Sequence, residues 1–242
     1  MPSFQVNAKW AAMSEVVPGL YISGVCALKP TTLQALNINL IVNCTKEVPN
    51  MNMMPQCERV KLWLDDTDDT DLSCHLETVS DHIRFILSGG GRALVHCVAG
   101  VSRSAALCLA YLMKYESMSL RQAFRYLSLR RPMVRPNLGF WKQLIDYERK
   151  LRPTRSSSVR IVAVSTTKTE EGEEIVQFLP DVYLQPTNAI KEAAKDNPDE
   201  DKENDRKSPT FPLYIDLYEK RRHSSGSGHV RFVPRLASVP EI

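Results

Sequence analysis

Short apolar runs alternate with longer segments of helical periodicity between residues 16 and 152. The short runs are rich in β-branched and aromatic residues and are bounded by turn residues, which predicts strands. These runs cover 19–23, 40–45, 60–64 and 93–97. Because helical segments separate the strands, we expect an α/β fold with a central, mostly parallel sheet flanked by helices.

The helical segments carry their own start signals. Thr31 or Thr32 is a suitable N-cap for a short first helix, and Ser119 with Gln122 forms a capping-box pattern for the fourth. The third, 104–115, is apolar nearly all round and should be buried. In the last helix, 138–151, four large apolar residues should face the core. They are Phe140, Trp141, Leu144 and Ile145.

The sustained apolar pattern ends near Arg152. We therefore expect a short lead over 1–15, one folded domain over 16–152 and a C-terminal extension over 153–242. In the extension, two apolar stretches between 159 and 184 are compatible with a weak hairpin. The rest should be largely disordered, because 188–207 is charged and poor in apolar residues.

The extension also contains one aromatic island, TFPLYIDLYEKRRH at 210–223. We interpret it first as a stray apolar stretch in a flexible tail. The alternative is a docking motif for a partner protein, since the basic cluster follows the aromatic residues directly.

The charge of the chain excludes some partners. The formal net charge is +3, and residues 1–152 hold 18 Lys or Arg against 13 Asp or Glu. This mild surplus suits an anionic substrate but falls short of a nucleic-acid-binding surface. No apolar run reaches the ~18 residues of a membrane span. The N-terminus also lacks the pattern of a signal peptide, and its second residue is not the glycine that myristoylation requires.

The chain has six cysteines, with no CxxC pair and no histidine at zinc spacing. They are Cys26, Cys44, Cys57, Cys74, Cys97 and Cys108. Reduced thiols are the simplest interpretation. They favour a protein located in the cytoplasm, and also in the nucleus. We predict neither a metal nor a cofactor.

The segment HCVAGVSRS, 96–104, carries the candidate chemistry. Cys97 ends a predicted strand, and the loop after it leads directly into a helix. A thiol attacks only as its thiolate, and the N–H groups and dipole of a helix N-terminus favour an anion. The same place should therefore stabilise a nucleophilic thiolate and bind an oxyanion.

The other residues of this loop suit a phosphate. Five small residues follow the cysteine, and their N–H groups can turn inward toward a tetrahedral anion. They are Val98, Ala99, Gly100, Val101 and Ser102. Arg103 can grip two phosphate oxygens with its planar fork, which Lys cannot do. We expect the Ser104 hydroxyl to reach the sulfur and His96 to orient the loop without attacking anything.

With these residues, the sequence resembles the atypical dual-specificity protein phosphatases, a cysteine-dependent family. Within it, the likeness is greatest to the subgroup of dual-specificity phosphatases 14, 18, 21 and 28. Beside HCVAGVSRS, the resemblance rests on VPGLYISG, on the helix SRSAALCLAYLMKY and on RRPMVRPNLGFWKQLIDYE, and it spans 16–152. It implies a cysteine-phosphatase fold and hydrolysis of phosphotyrosine and phosphoserine or phosphothreonine through a cysteinyl-phosphate intermediate, without metal.

Expelling the leaving oxygen requires a proton donor, which a thiolate cannot be. Five aspartates crowd one loop: Asp65, Asp66, Asp68, Asp69 and Asp71. In the family the acid lies shortly after the alternating strand, and this register implies Asp66, with Asp65 and Asp68 as alternatives. Asp71 suits a helix N-cap or first turn. The family also implies that Asn137 holds the phosphate loop, and the same residue is a suitable N-cap.

The resemblance implies phosphorylated protein substrates, with mitogen-activated kinases or their regulators as candidate partners in kinase signalling. One alternative is a phosphatase of phosphoinositides or of RNA 5′-phosphates, although such substrates favour Lys or Arg where this loop has Val98, Ala99 and Val101. A second is a kinase-binding scaffold with weak activity. A sulfur-transfer enzyme is a third, and it accounts poorly for the acidic loop.

Overall fold

The computed structural model describes residues 12–50, 56–153, 155–168 and 174–184. The expected disorder at 188–207 and the aromatic island at 210–223 lie outside these residues, as does most of the expected N-terminal lead. Within the described part of the chain, no helix combines the length and the apolar character that crossing a membrane requires.

A five-stranded sheet forms the centre of the fold. Its strands are β1 Ser14–Val17, β2 Leu20–Gly24, β3 Leu40–Asn43, β4 Glu58–Lys61 and β5 Ala93–Cys97, in the order β1-β2-β5-β3-β4. β2, β5, β3 and β4 run parallel, and β1 pairs antiparallel with β2 at one edge. The predicted α/β fold with a mostly parallel sheet is confirmed; the antiparallel edge strand was not predicted.

In the described part of the chain, five helices flank this sheet: α1 Pro30–Ala35, α2 Ser73–Ser88, α3 Arg103–Tyr115, α4 Leu120–Arg130 and α5 Leu138–Leu151. Short 3-10 turns lie at Val25–Ala27 and at Asp181–Tyr183. α3 is buried from Arg103 to Met113, as its all-round apolar sequence predicts. The capping box of Ser119 and Gln122 at the start of α4 is also confirmed.

The parallel register divides the core between the two faces of the sheet. Alternate residues such as Val42 and Val95 join a large cluster with α2, α3, α4 and α5, whereas Ile41 and Leu94 join a smaller cluster with α1. Cys97 lies two residues after Val95 on β5, so its side chain is on the same face of the sheet and belongs to the large cluster. The candidate nucleophile therefore leaves the sheet on the face that α3 covers.

Several predicted element boundaries differ from the structure, among them the end of the strand predicted over 40–45, which stops at Asn43. The first helix begins at Pro30 with Lys29 as its N-cap residue, so Thr31 and Thr32 lie inside it. Proline at the first helical position needs no N–H partner and fixes φ, which moves the start ahead of both threonines. The strand predicted over 60–64 begins earlier and ends at Lys61. Beyond it the chain still runs beside the end of β3, because Leu62 N donates to Asn43 O at 2.8 Å and Lys46 N donates to Leu64 O at 3.2 Å.

An antiparallel hairpin, β6 Ile161–Lys168 with β7 Glu174–Pro180, follows α5. The chain on either side of it packs on α4 and α5. Glu148 of α5 accepts hydrogen bonds from the Ser158 amide at 2.8 Å and the Leu120 amide at 2.7 Å. After the hairpin, the Tyr183 hydroxyl accepts a hydrogen bond of 2.8 Å from Trp141 Nε1. Residues 157–184 are thus attached to the domain at both ends.

Candidate active site

Cys97 is the last residue of β5, a strand whose five residues are all buried. The chain then bends back around the sulfur before α3 begins at Arg103. The Gly100 amide donates to Cys97 Sγ at 3.1 Å, and Ser104 Oγ lies 3.2 Å from the same atom. The predicted contact between Ser104 and the sulfur is therefore present, and the thiol sits at the bottom of a short loop.

The carbonyl groups of this loop are held from outside. Val25 N donates to Val98 O at 2.9 Å and Arg135 N donates to Val101 O at 2.8 Å. Ala99 and Gly100 carbonyls accept from the Arg131 side chain. With these carbonyls occupied on the outer side, the peptide groups present their amides toward the sulfur, as Gly100 shows directly. This is the arrangement that an anion-binding loop requires.

Gly100 occupies a position that no other residue fits. Its φ of +70° lies in the left-handed region, which favours glycine. A Cβ there would stand 2.6 Å from the Ser23 carbonyl carbon and 2.5 Å from Arg131 Nη2. The loop thus packs directly on the end of β2, and this close approach fixes the Gly100 amide under the sulfur.

Arg131 is a positioning residue that the sequence reasoning missed. It is 2% exposed and donates from Nε to Gly100 O at 2.6 Å and from Nη2 to Ala99 O at 2.9 Å. Its Nη1 reaches Ala12 O at 2.7 Å, on the N-terminal side of β1. Because these three carbonyl partners are backbone atoms remote in sequence, no spacing pattern identifies Arg131. The nearest signal is the Arg-Arg-Pro sequence that ends α4.

Arg103 is also buried, at 4% exposure, and a carboxylate holds it. Its Nη1 donates to Glu47 Oε2 at 2.9 Å and its Nη2 to Glu47 Oε1 at 2.8 Å. Nη1 also donates to Leu64 O at 3.0 Å. Burial opposes the charge, but the hydrogen bonds to Glu47 outweigh it and raise the pKa of Arg103. They also lower the pKa of Glu47 against the opposing effect of its own burial.

Asp66 is the aspartate that the structure brings to the cysteine loop. Ser102 Oγ donates to Asp66 Oδ1 at 2.6 Å, and Asn137 Nδ2 donates to the same oxygen at 3.0 Å. Asp66 Oδ2 lies 3.6 Å from Arg103 Nε. Asp66 therefore lies beside the guanidinium and within reach of a group bound in the loop.

Asn137 differs in part from its expected role. Its side chain accepts from Phe140 N at 2.8 Å, which makes it the N-cap of α5. Its amide nitrogen donates to Asp66 and to Thr67 O at 3.2 Å, so the side chain holds the acidic loop rather than the phosphate loop. Contact with the phosphate loop comes instead from the Asn137 backbone amide, which donates to Ser102 Oγ at 3.1 Å.

The alternative acids Asp65 and Asp68 have other partners. Asp65 is exposed and forms an ion pair of 3.1 Å with Lys46. Asp68 Oδ1 accepts from Gly139 N at 3.3 Å at the start of α5. A Cβ at Gly139 would overlap the Asp68 carbonyl oxygen, so the acidic loop lies directly on this helix. These contacts direct both side chains away from Cys97.

The last two aspartates serve local structure. Hydrogen bonds from Thr67 and the backbone lower the pKa of the exposed Asp69. Asp71 accepts from Ser73 N at 2.9 Å and Ser73 Oγ at 2.6 Å. The N-cap residue of α2 is Leu72, so Asp71 acts from the position before the cap rather than from the cap itself.

His96 lies on the opposite face of β5 from Cys97. Its Nδ1 is 3.4 Å from Cys97 O, a long contact that contributes little to orienting the loop. Burial lowers the pKa of His96 to about 4, so the ring is neutral at pH 7. Its neighbours across the sheet are Ser23 on β2 and Asn43 on β3.

Comparisons with known proteins match the part of the chain that contains this site. The sequence model described as dual specificity phosphatase, catalytic domain, matches residues 20–150. The chain is 42% identical to human dual specificity protein phosphatase 14 over 172 residues, which are 71% of this chain and 80% of that protein. It is 43% identical to human dual specificity protein phosphatase 21 over 173 residues, 71% of this chain and 84% of that one.

A solved structure matches the fold as well. The crystal structure of human DUSP28 superposes with a TM-score of 0.56 at 33% identity, and the match covers 58% of this chain and 95% of that one. The family match contains every candidate site residue from Glu47 to Asn137.

Proposed function

This chain belongs to the dual specificity phosphatase family and is a protein phosphatase, and we propose that Cys97 is its nucleophile, Arg103 its phosphate-binding side chain and Asp66 its general acid. One observation carries the assignment. The Gly100 amide and Ser104 hydroxyl lie about Cys97 Sγ, while Ser102 joins the same loop to Asp66.

In the first step, the Cys97 thiolate attacks phosphorus in line with the leaving oxygen. An S–P bond forms, the P–O bond to the substrate side chain breaks, and Asp66 gives its proton to the departing oxygen. The amides of 98–102 and the Arg103 guanidinium stabilise the three equatorial oxygens, where negative charge accumulates. The products are the dephosphorylated side chain and a cysteinyl-phosphate.

In the second step, water attacks the cysteinyl-phosphate and the ionised Asp66 removes its proton. A P–O bond forms, the S–P bond breaks, and inorganic phosphate leaves. The electron pair returns to Cys97 as a thiolate, which a hydrogen bond from Ser104 stabilises at 3.2 Å. Asp66 is protonated again, so the enzyme is ready for another cycle.

The proposed substrates are phosphorylated proteins of kinase signalling in the cytoplasm and nucleus. They include mitogen-activated kinases or their regulators. Val98, Ala99 and Val101 add no positive charge to the loop, which favours a phosphate monoester on a side chain over a polyanionic phosphoinositide. We assign catalysis to the domain 16–152, with 153–242 as its extension.

The test is turnover by the purified full-length chain. An aryl phosphate measures the chemistry, and a panel of phosphotyrosine, phosphothreonine and phosphoserine peptides with a phosphoinositide measures the substrate class. We expect hydrolysis of the aryl phosphate and of phosphopeptides. Faster turnover of the phosphoinositide than of every peptide would contradict the proposed substrate class, and no turnover of any substrate would contradict the catalytic assignment.

A further inference from the structure

We propose that Glu47 is a positioning residue that determines which edge of the Arg103 guanidinium faces the phosphate. The proposal rests on the function proposed above. Glu47 lies in the turn after β3, 56 positions before its partner. It binds Arg103 with both carboxylate oxygens, and it does not itself need to touch the substrate.

The five N–H groups of an arginine lie in one plane, and here three of them are occupied. The Glu47 carboxylate accepts one hydrogen bond from Nη1 and one from Nη2. Leu64 O takes the other N–H of Nη1. The two that remain, on Nε and Nη2, point the same way along one edge of the plane. Nε is buried without a hydrogen-bond partner, and its nearest acidic atom is Asp66 Oδ2 at 3.6 Å.

These two parallel N–H groups match two oxygens of a tetrahedral phosphate. An arginine can bind a phosphate through either of its two-nitrogen edges. By occupying the Nη1–Nη2 edge, Glu47 leaves the Nε–Nη2 edge for the substrate and fixes the rotation of the guanidinium in its plane. This orientation is needed before the phosphate arrives, because reorienting the buried guanidinium during the reaction would raise the barrier.

The turn that carries Glu47 is itself well anchored. Asn43, the last residue of β3, donates from Nδ2 to Val48 O at 2.8 Å, and its Oδ1 accepts from Thr45 Oγ1 at 2.7 Å. Thr45 Oγ1 accepts in turn from Val48 N at 3.1 Å. β3 is the neighbour of β5, so this network places the Glu47 carboxylate relative to the strand that carries the nucleophile.

Glu47 also affects Asp66, the second carboxylate near Arg103. Without Glu47, the vacated Nη1–Nη2 edge and the uncompensated charge of Arg103 would attract the Asp66 carboxylate. A carboxylate paired in this way competes with the phosphate and gives up its role as proton donor. The proposal therefore predicts two effects of losing Glu47: weaker oxyanion binding and an acid that is ionised over a wider pH range.

The experiment uses Glu47→Gln in the full-length chain, with Lys46→Gln as the matched control. Lys46 belongs to the same turn and pairs with the exposed Asp65, but it does not contact Arg103 through its side chain. We measure kcat and KM for an aryl phosphate, their pH profiles, and the Kd of inorganic phosphate by calorimetry. Unfolding midpoints confirm that both variants fold, and Glu47→Asp, which keeps the charge, is a second variant.

For Glu47→Gln we expect kcat/KM to fall about 10- to 100-fold and phosphate affinity to fall about 10-fold, as for loss of a charged hydrogen-bonding partner. The basic limb of the pH profile should move to lower pH, and Glu47→Asp should restore part of the loss. In an Arg103→Lys background, Glu47→Gln should change kcat/KM less than about 2-fold, because its effect acts through Arg103.

Two outcomes would overturn the proposal: unchanged phosphate affinity and kcat/KM in a folded Glu47→Gln, or an equal loss in the Arg103→Lys background. Both are distinct from failure of the proposed function. If the wild-type chain hydrolysed no phosphate ester, the catalytic assignment would fail, and calorimetry with inorganic phosphate would still test whether Glu47 supports oxyanion binding.

Discussion

Ser102 donates a hydrogen bond of 2.6 Å to the carboxylate of Asp66, which ties the acidic loop to the cysteine loop. Asn137 supports the same oxygen from the start of α5. Among the five aspartates of the acidic loop, this contact distinguishes Asp66 from Asp65 and Asp68. It also supplies the most direct tests of the mechanism.

Asp66→Ala should slow a substrate with a poor leaving group by a factor of about 100 or more, and an activated aryl ester much less. A good leaving group departs without a proton, so only the poor one depends on the acid. The basic limb of the kcat/KM profile should flatten. Steady-state kinetics on two esters of different leaving-group pKa measures this, with Asp65→Ala and Asp68→Ala as controls. If a control showed the leaving-group dependence and Asp66→Ala did not, the acid would be the control residue.

Cys97→Ser should abolish turnover and leave the fold intact. A serine hydroxyl supplies almost no anion at neutral pH, and its volume is close to that of the thiol. Circular dichroism and the unfolding midpoint serve as the control for folding. Measurable steady-state hydrolysis by a preparation free of wild-type protein would rule out the cysteinyl-phosphate route.

Arg103→Lys should lose most of the activity although the charge is kept. The guanidinium binds Glu47 through two of its nitrogens and still offers a parallel pair of N–H groups to two phosphate oxygens. The single nitrogen of a lysine ammonium group cannot do both. We expect kcat/KM to fall at least about 100-fold, as for loss of a main contact to a developing oxyanion. Turnover within a few-fold of wild type would show that charge alone suffices.

Peroxide should inactivate the enzyme reversibly, with Cys44 as the second thiol. The β3–β5 register pairs Asn43 with His96, and Cys44 N donates to His96 O at 2.9 Å. If this register continues by one residue, Cys44 lies beside Cys97. Their Cα atoms are then separated by the ~5 Å spacing of neighbouring strands, which is within the range of a disulfide. The Cys97 thiolate attacks one oxygen of hydrogen peroxide, the O–O bond breaks and hydroxide leaves, which gives a sulfenic acid. The Cys44 thiol then attacks this sulfur, an S–S bond forms and water leaves.

Mass spectrometry after peroxide treatment tests this pairing. We expect a Cys44–Cys97 linkage and recovery of activity with dithiothreitol. In Cys44→Ala, recovery should decline as exposure to peroxide lengthens, because the sulfenic acid then oxidises further. Equal recovery in both proteins would exclude a protective role for Cys44.

Acid should destabilise the fold through His96. Burial lowers its pKa to about 4 in the folded protein, whereas an unfolded histidine titrates near its ordinary value of 6.5. The unfolded chain therefore binds this proton first, and the contribution to stability is lost as the pH falls from about 6.5 to about 4. The whole effect is about 3 kcal/mol. Urea unfolding at several pH values measures it, and His96→Gln should flatten the dependence in this window.

The sequence predicts the cysteine loop well because its chemistry is contiguous. Cys97, the small residues, Arg103 and Ser104 follow one another, and strand, loop and helix patterns surround them. Asp66 required the family register, since five neighbouring aspartates look alike by composition. Its proximity to Ser102 depends on how the acidic loop packs on α5.

Glu47 and Arg131 could not be predicted in the same way. Glu47 reaches Arg103 only because β3 lies next to β5, a strand order that no local pattern encodes. Arg131 binds carbonyl oxygens, which every residue possesses, so its partners carry no sequence signal. The short first helix shows a smaller failure of this kind, because Pro30 takes the first helical position ahead of two good capping residues.

The central position of β5 has a consequence for how activity is lost. β5 is hydrogen-bonded on both sides, to β2 and β3, and its five residues are buried. Its amides should be among the slowest to exchange with deuterium, since they open only when the whole sheet does. β6 and β7 form a separate two-stranded sheet that does not pair with β5, so we expect these two strands to separate before the central sheet opens. Among the described residues, we therefore expect the strand that carries the nucleophile to unfold last, and mild heating should separate β6 from β7 while catalysis persists.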